Sequence, residues 1–340
     1  MAQRIFVTGG AGFIGSHTVL ALLRARYDVH VFDNFHNSSP RALRRVTELT
    51  GAPIGTTEGD VRSMRDLSAA VDAFRPDAAI HFAGLKAVGE SEAEPLEYYT
   101  TNVQGTVNLL RAMDKQGSRR MVFSSSATVY GTPSYLPFDE AHPINPSNTY
   151  GRTKAMAETV IRDWCHANGD AGAMLLRYFN PVGADESGRI GEDPTGRPDN
   201  LMPFIAQVAV GRRQKLSVFG DDYDTRDGTG ERDYIHVSDL ARAHVAAVER
   251  VLERPGCDSC NVGTGQGVTV MEMIRAFERA SNRRVPYKVV DRRAGDLGSY
   301  YASTERARDV LGWSPEMDLH EMCASTWNWQ QQNPNGYRDG

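Results

Sequence analysis

The sequence predicts an α/β fold, a doubly wound parallel sheet with a smaller α/β domain attached, on three observations. Short β-rich runs alternate with longer amphipathic stretches over residues 1–180, the rhythm of parallel strands joined by helices that cover both faces of a sheet. A cluster of glycines sits where the first strand should turn into the first helix. Beyond residue 180 Gly and Pro become dense as far as residue 230 and the rhythm lapses, which marks a boundary.

The elements follow in order. Residues 4–7 are the first strand, 13–26 a helix and 28–32 the second strand. Strands at 54–58, 78–82 and 120–124 are each reached through a helix, at 40–49, 64–74 and 96–115. A helix over 150–168 leads to a strand at 173–178. Past the boundary, a strand at 233–237, a helix at 238–253 and residues 260–263 are expected to return to the first sheet. The domain expectation is therefore 1–180, with returns around 233–263, and a second domain made mainly from 181–340. No internal repeat or low-complexity tract interrupts it.

Composition narrows the function classes. The 38 basic and 43 acidic residues give a formal charge of -5, with no basic block interleaved with aromatics, which argues against a nucleic-acid partner. No apolar run approaches the ~18 residues of a membrane span, and the first residues enter a strand pattern without a signal-peptide profile. With four scattered cysteines, the chain reads as a cytoplasmic protein without a disulfide framework. Cys257-Asp-Ser-Cys260 resembles half a zinc site or a redox pair, but no second CxxC or histidine pair completes it. No metal is expected.

The glycine cluster is Thr8-Gly-Gly-Ala-Gly-Phe-Ile-Gly15, with Gly9, Gly12 and Gly15 at its turning points. Glycines there allow a tight turn and let a pyrophosphate approach the helix N-terminus. Its context is what makes the pattern specific. It follows a strand, opens a helix, and has Asp33 eighteen residues after Gly15, where an acid can take ribose hydroxyls and repel a 2'-phosphate. A Rossmann-type dinucleotide site with NAD preferred over NADP is the expectation. Asp60, after the third strand, is placed to reach the adenine, although such an Asp is more often a turn residue.

Tyr150-Gly-Arg-Thr-Lys154 puts a phenol and an ammonium at i and i+4, on one helix face. A phenol is a poor base at neutral pH; a neighbouring cation favours its phenolate. The Ser124-Ser125-Ser126 run ends a strand 24 residues before Tyr150, at the carboxyl edge where open α/β sheets bind ligands.

These residues, with His81-Phe-Ala-Gly-Leu-Lys86, Phe123-Ser-Ser-Ser-Ala-Thr-Val-Tyr-Gly131, Leu176-Arg-Tyr-Phe-Asn-Pro-Val-Gly183, Asn200-Leu-Met-Pro203 and Arg232-Asp-Tyr-Ile-His236, resemble the extended short-chain dehydrogenase/reductases, and within them the UDP-glucose 4-epimerases. The likeness runs over nearly the whole chain. It implies that Tyr150 is general base and acid, that Lys154 tunes it and holds the nicotinamide ribose, and that Ser126 meets the reacting sugar oxygen. It further implies an NAD site lined by Gly9, Gly12, Phe13, Ile14, Gly15, Asp33, Asn34, Phe35, Asn37, Ser38, Asp60, Val61, Phe82, Ala83, Gly84, Lys86, Asn102, Ser124 and Phe179. UDP-sugar contacts would come from Lys86, Asn180, Asn200, Leu201, Ser217, Phe219, Arg232, Arg293, Asp296 and Tyr300, Tyr300 bordering the C2 substituent. Thr101 stands where some members carry a cofactor-contacting Asn, so only Asn102 is kept from that segment.

The implied reaction interconverts UDP-glucose and UDP-galactose through a 4-keto sugar, with tightly bound NAD regenerated and the enzyme a homodimer. Two rivals are weaker. A nucleotide-sugar 4,6-dehydratase would carry a Thr-Asp-Glu run where this chain has Ser126-Ala127-Thr128, and neither Ala nor Thr replaces that carboxyl pair. A non-catalytic NAD sensor has no use for Tyr150 and Lys154.

Overall fold

The structure, a computed structural model, describes residues 2–338 other than 195, 197, 199 and 294. The first sheet has seven parallel strands, β1 (Arg4–Thr8), β2 (Asp28–Asp33), β3 (Gly55–Glu58), β4 (Ala78–His81), β5 (Arg120–Ser126), β6 (Gly172–Tyr178) and β10 (Gly256–Val262), ordered β10-β6-β5-β4-β1-β2-β3. The order reverses between β1 and β4, the switch point at which such sheets open a crevice. Val7 and Thr8 on β1 stand in register with Ile80 and His81 on β4, so the loops that follow the two strands leave side by side.

Helices cover both faces. Helix α1 (Phe13–Arg24), α2 (Pro40–Thr50) and α9 (Val237–Glu253) bury Val19, Leu22, Val46, Leu240 and Ala247 against one face. On the other face, α3 (Met64–Phe74), α6 (Gly105–Gln116) and α7 (Thr149–Ala167) bury Leu67, Leu109, Ala157 and Ile161. Each fully buried Leu or Ile stabilises by ~1.5–3 kcal/mol relative to exposure, so both layers are needed to hold the strand ends in place.

The helix expected over 96–115 is present as one continuous helical run, α5 (Pro95–Tyr98), a π-helical turn at Tyr99–Gln104 and α6, and a separate short helix, α4 (Val88–Ala93), precedes it. Pro95 has no N–H to continue α4, so it restarts the helix at its first turn. The π turn widens the backbone and sends Asn102 inward to bond Leu85 and Thr153.

A second unit holds β7 (Asn180–Val182), β8 (Leu216–Phe219), β9 (Glu231–His236), β11 (Gly267–Thr269), β12 (Tyr287–Val290) and β13 (Ser299–Tyr300). Its helices are α8 (Leu201–Ala209), α10 (Val270–Ser281) and α12 (Leu319–Gln332), whereas α11 (Glu305–Leu311) packs back onto the first sheet's core through Ala307. Here the expectation for 233–237 fails: β9 pairs with β7, β11 and β13 rather than entering the first sheet. Helix α9 and strand β10 return, β10 pairing in parallel with β6, and α11 packs against both. Short apolar runs look alike in either sheet, so the strand signal alone could not place β9.

Candidate active site

The glycine turn is shaped by backbone contact. Gly9 has φ of +71°, and a Cβ there would lie 2.6 Å from the Ala83 nitrogen. At Gly15 an added Cβ would lie 2.3 Å from the Gly9 carbonyl oxygen. Any side chain at either position would push the turn off the sheet. Gly12 caps α1 without a side-chain bond, which leaves the first-turn N–H groups free for an anion.

Asp33 closes β2 with only 7% of its surface exposed. One carboxylate oxygen accepts from the Ala11 N–H at 2.9 Å; the other accepts from the Phe35 N–H and the Ser38 hydroxyl, each at 2.9 Å. The residue therefore braces the glycine turn. Next to it, Asn34 donates to Asp60 at 3.1 Å, and Arg62 holds the Asp60 carboxyl down to about 2. Asn34 and Asn37 are exposed, Phe35 is half-buried, and Val61 is buried beneath the same rim.

Loop residues Phe82, Ala83 and Gly84 link this cradle to the ionisable groups. Ala83 donates to the Thr8 hydroxyl at 3.3 Å, and a Cβ on Gly84 would lie 3.8 Å from Lys154 Nζ. Lys154 is buried and donates to the Ser124 carbonyl at 2.6 Å, with its Nζ 5.9 Å from the Tyr150 ring centre. Burial lowers its ammonium to about 8, against an opposing pull from Glu158. Tyr150 is pushed above the ordinary phenol range by burial, opposed by a hydrogen bond with the Ser126 hydroxyl. In the protein alone, desolvation thus outweighs that hydrogen bond.

Across the cleft, Arg232 donates to the Leu297 carbonyl at 2.9 Å and lies 3.9 Å from an Asp296 oxygen. The Arg293 guanidinium sits 3.8 Å from the Phe219 ring centre, and Ser217 shares the Phe219 side of β8. Asn180 opens β7. At the head of α8, Leu201 follows Asn200, whose amide donates to Glu192 at 3.3 Å. Exposed Lys86 lies 3.7 Å from the same carboxylate. Tyr300 donates its hydroxyl to the Ala127 carbonyl and stacks 4.5 Å from Phe138 and 5.6 Å from buried Phe179. Its hydroxyl thus reaches the residue that follows Ser126.

The arrangement therefore gathers Tyr150, Lys154, Ser126 and Ser124 at the β5 end, and the glycine turn with Asp33 at the β1 and β2 ends. Asn102 instead pins the Leu85 backbone to Thr153. Cys257 and Cys260 lie three apart on β10, hence on opposite sides of the strand, and the four cysteines are unbridged. Two buried groups were not read from sequence. Asp233 accepts from the Thr264, Gly265 and Ala302 backbone N–H groups, fixing the segment that carries Tyr300. Arg177 pairs with Glu158 below Ser125. The available signal was a charge inside the apolar run Ala173-Met-Leu-Leu-Arg177.

The sequence profile of the NAD dependent epimerase/dehydratase family matches residues 5–263. UDP-glucose 4-epimerase of Mus musculus is 53% identical, over 98% of this chain and 99% of that protein; the Bacillus subtilis (strain 168) enzyme of the same name is 52% identical, over 98% of each. Among solved structures, UDP-glucose 4-epimerase from Bifidobacterium longum in complex with NAD+ and UDP superposes with a TM-score of 0.95 at 49% identity, covering 98% of this chain and 100% of that one. With this likeness spanning both the sheet with its glycine cradle and the unit across the cleft, the chain belongs to the UDP-glucose 4-epimerases of the NAD dependent epimerase/dehydratase family.

Proposed function

We propose that this chain interconverts UDP-glucose and UDP-galactose by inverting C4 of the hexose through a 4-keto sugar, with Tyr150, Lys154 and Ser126 handling the proton at the 4-hydroxyl. The carrying observation is the convergence of those three side chains at the end of β5, one short loop away from a glycine cradle shaped for a dinucleotide. The cradle fits NAD: Gly9 and Gly15 leave no room for side chains, the α1 N-terminus is uncapped, and Asp33 disfavours a 2'-phosphate. Bound there, NAD supplies the acceptor and donor of the C4 hydride.

The chain's own groups do the rest. Ser126 holds the sugar 4-oxygen against Tyr150, which takes the hydroxyl proton as phenolate and returns it as phenol. Lys154 contributes positive charge to the phenolate and donors for the nicotinamide ribose. Asn34 and Asp60 face the adenosine end. Arg232 and Arg293 pair with the diphosphate, while Asn180, Asn200, Leu201, Phe219 and Asp296 hold the nucleotide sugar. Phe138, Phe179 and Tyr300 keep water from the reacting carbon.

Two finer readings accompany this one. A homodimer is supported by the apolar groove between α6 and α7, lined by Val107, Leu110, Val160 and Trp164, the kind of helix face another copy would cover. A cytoplasmic setting suits four unbridged thiols; among the described residues no helix is long and apolar enough to cross a membrane.

The test is direct. Denatured protein should release a ligand with the mass and absorbance of NAD, and the native protein should turn over UDP-galactose. Tyr150→Phe should retain NAD yet lose kcat by roughly 10²–10⁴-fold, the range of a positioned acid–base group. Near-normal turnover by that variant would remove Tyr150 from the mechanism.

A further inference from the structure

Beneath the reacting groups lies an ion pair that the reaction as described does not use. Ser125 on β5 and Arg177 on β6 are register partners, and both side chains meet Glu158 on α7. Arg177 grips the carboxylate with two donors, at 2.9 and 2.6 Å; the Ser125 hydroxyl donates to the same carboxylate at 2.5 Å. Glu158 and Arg177 are 4% and 3% exposed. From Arg177 the network runs on to the Tyr130 hydroxyl at 3.0 Å, from there to Asn261 at 2.6 Å, and from Asn261 to the Phe138 carbonyl at 2.9 Å. Phe138 is the ring that backs Tyr300.

Stability does not explain such an arrangement. A desolvated pair is on average no better than well-packed apolar side chains of the same size, and the layer just before it on the two strands, Phe123 and Leu175, is apolar. What the pair adds is direction. It joins three elements at the one place where their spacing matters to chemistry. Ser124 and Ser126 flank Ser125, while Lys154 stands one helical turn before Glu158 and Tyr150 two turns before it.

We propose that Glu158 and Arg177 are positioning residues, which lock the end of β5 to α7 and so fix the Ser126 hydroxyl and Ser124 carbonyl against Tyr150 and Lys154. The inference rests on the roles given to those residues above. The titratable and charged groups facing Lys154 are Tyr150 and Glu158 on its own helix and His81 on β4, and behind Glu158 stand Arg177 on β6 and Arg162, one turn further along α7 and 3.8 Å from the carboxylate. Burial holds His81 down to about 3, so it is neutral, and Glu158 is the group that favours the ammonium.

Steady-state kinetics of the holoenzyme with UDP-galactose, from neutral to alkaline pH, test it. Glu158→Gln should lower kcat roughly ten- to hundredfold, the cost of misplacing reacting groups by about an ångström, with KM changed by less than about threefold. Its alkaline limb should shift to lower pH, because Lys154 loses the carboxylate that supports its charge. A merely structural role would lower activity in step with melting temperature and leave that limb in place, which would overturn the proposal. Where Glu158→Gln fails to accumulate, the apolar pair E158L/R177M should fold and still show the kcat defect; wild-type kcat there also overturns it. Ser125→Ala keeps the pair and should cost roughly three- to tenfold in kcat, one hydrogen bond's worth; wild-type kcat in it counts equally against the proposal. Tyr150→Phe is run alongside. If it stays active, the underlying site assignment has failed; if it is inactive while the Glu158 and Ser125 variants behave as wild type, only this inference has.

Discussion

On the cofactor side of the cleft, shape is set by backbone: Gly9 and Gly15 approach Ala83 and each other closely enough to exclude a Cβ, and Asp33 spends its carboxylate holding the turn. On the nucleotide-sugar side, shape is set by side chains from distant segments, each resting on a local substitute partner: Arg232 on Leu297 and Asp296, Arg293 on Phe219, Asn200 and Lys86 on Glu192. The first wall is built before any ligand arrives. If the second holds the nucleotide sugar as proposed, it must exchange these contacts for others when a ligand binds, so substitutions there should change affinity by degrees rather than abolish the site.

Gly15→Ala should break the first wall most completely. Its methyl would press on the Gly9 carbonyl, and overpacking of this kind costs ~1–3 kcal/mol. The purified variant should lack NAD by absorbance and show no UDP-galactose turnover; a variant that retains NAD and activity would show the turn to be adjustable after all. Lys154→Ala should follow, with kcat down roughly a hundredfold and the pH optimum moved upward, since the phenolate loses its neighbouring cation. In the unaltered protein the ammonium is fully present below about 8 and lost as pH rises through it. Its kcat should accordingly decline above that value, which a pH–rate profile reads directly.

Tyr300 marks where the two walls meet. Its ring fills the space between Phe138 and Phe179, with its hydroxyl spent on Ala127. If Tyr300 borders the C2 substituent, as the family likeness implies, an acetamido group there would have to displace it or leave polar atoms unpaired, and UDP-N-acetylgalactosamine should be the poorer substrate by roughly ten- to hundredfold in kcat/KM. Tyr300→Cys should narrow that gap while leaving UDP-galactose nearly unchanged; equal values for the two sugars before substitution would dismiss the gate. The smallest effect is expected at Arg293. Exposed and stacked on Phe219, it should cost roughly tenfold in KM when changed to Ala, with kcat held, as measured by initial rates at low salt.

The two walls also differ in how far they could be read from sequence. The glycine turn, Asp33, and the Tyr150 and Lys154 pair are local patterns: spacing on one strand, one turn or one helix determines their geometry. Asp33 was nevertheless read for half its work, because its bonds to Ala11 and Ser38 depend on how the turn folds back. Arg232, Arg293, Asp296 and Tyr300 carry no local signature, and came into view through family likeness alone. Lys86 pairs with Glu192 and Asn102 serves the Leu85 backbone, contacts that no spacing rule supplies. The Glu158 and Arg177 pair joins residues 19 apart across a helix and a strand, visible only when the sheet is assembled.

The return of β10 has a consequence for how the chain reaches this state. Strand β6 lies between β5 and β10, and seven register pairs join it to residues that follow the whole β7 to α9 excursion. Until Gly256–Val262 has left the ribosome, that buried strand presents an open edge, the sort of surface that recruits other chains. Parallel pairing across so long an interval closes slowly, and larger chains of this type expose sticky intermediates while they wait. A fragment ending near residue 180 should therefore aggregate rather than fold, and refolding should favour low concentration. Nascent chains have the same need for shelter until β10 is made.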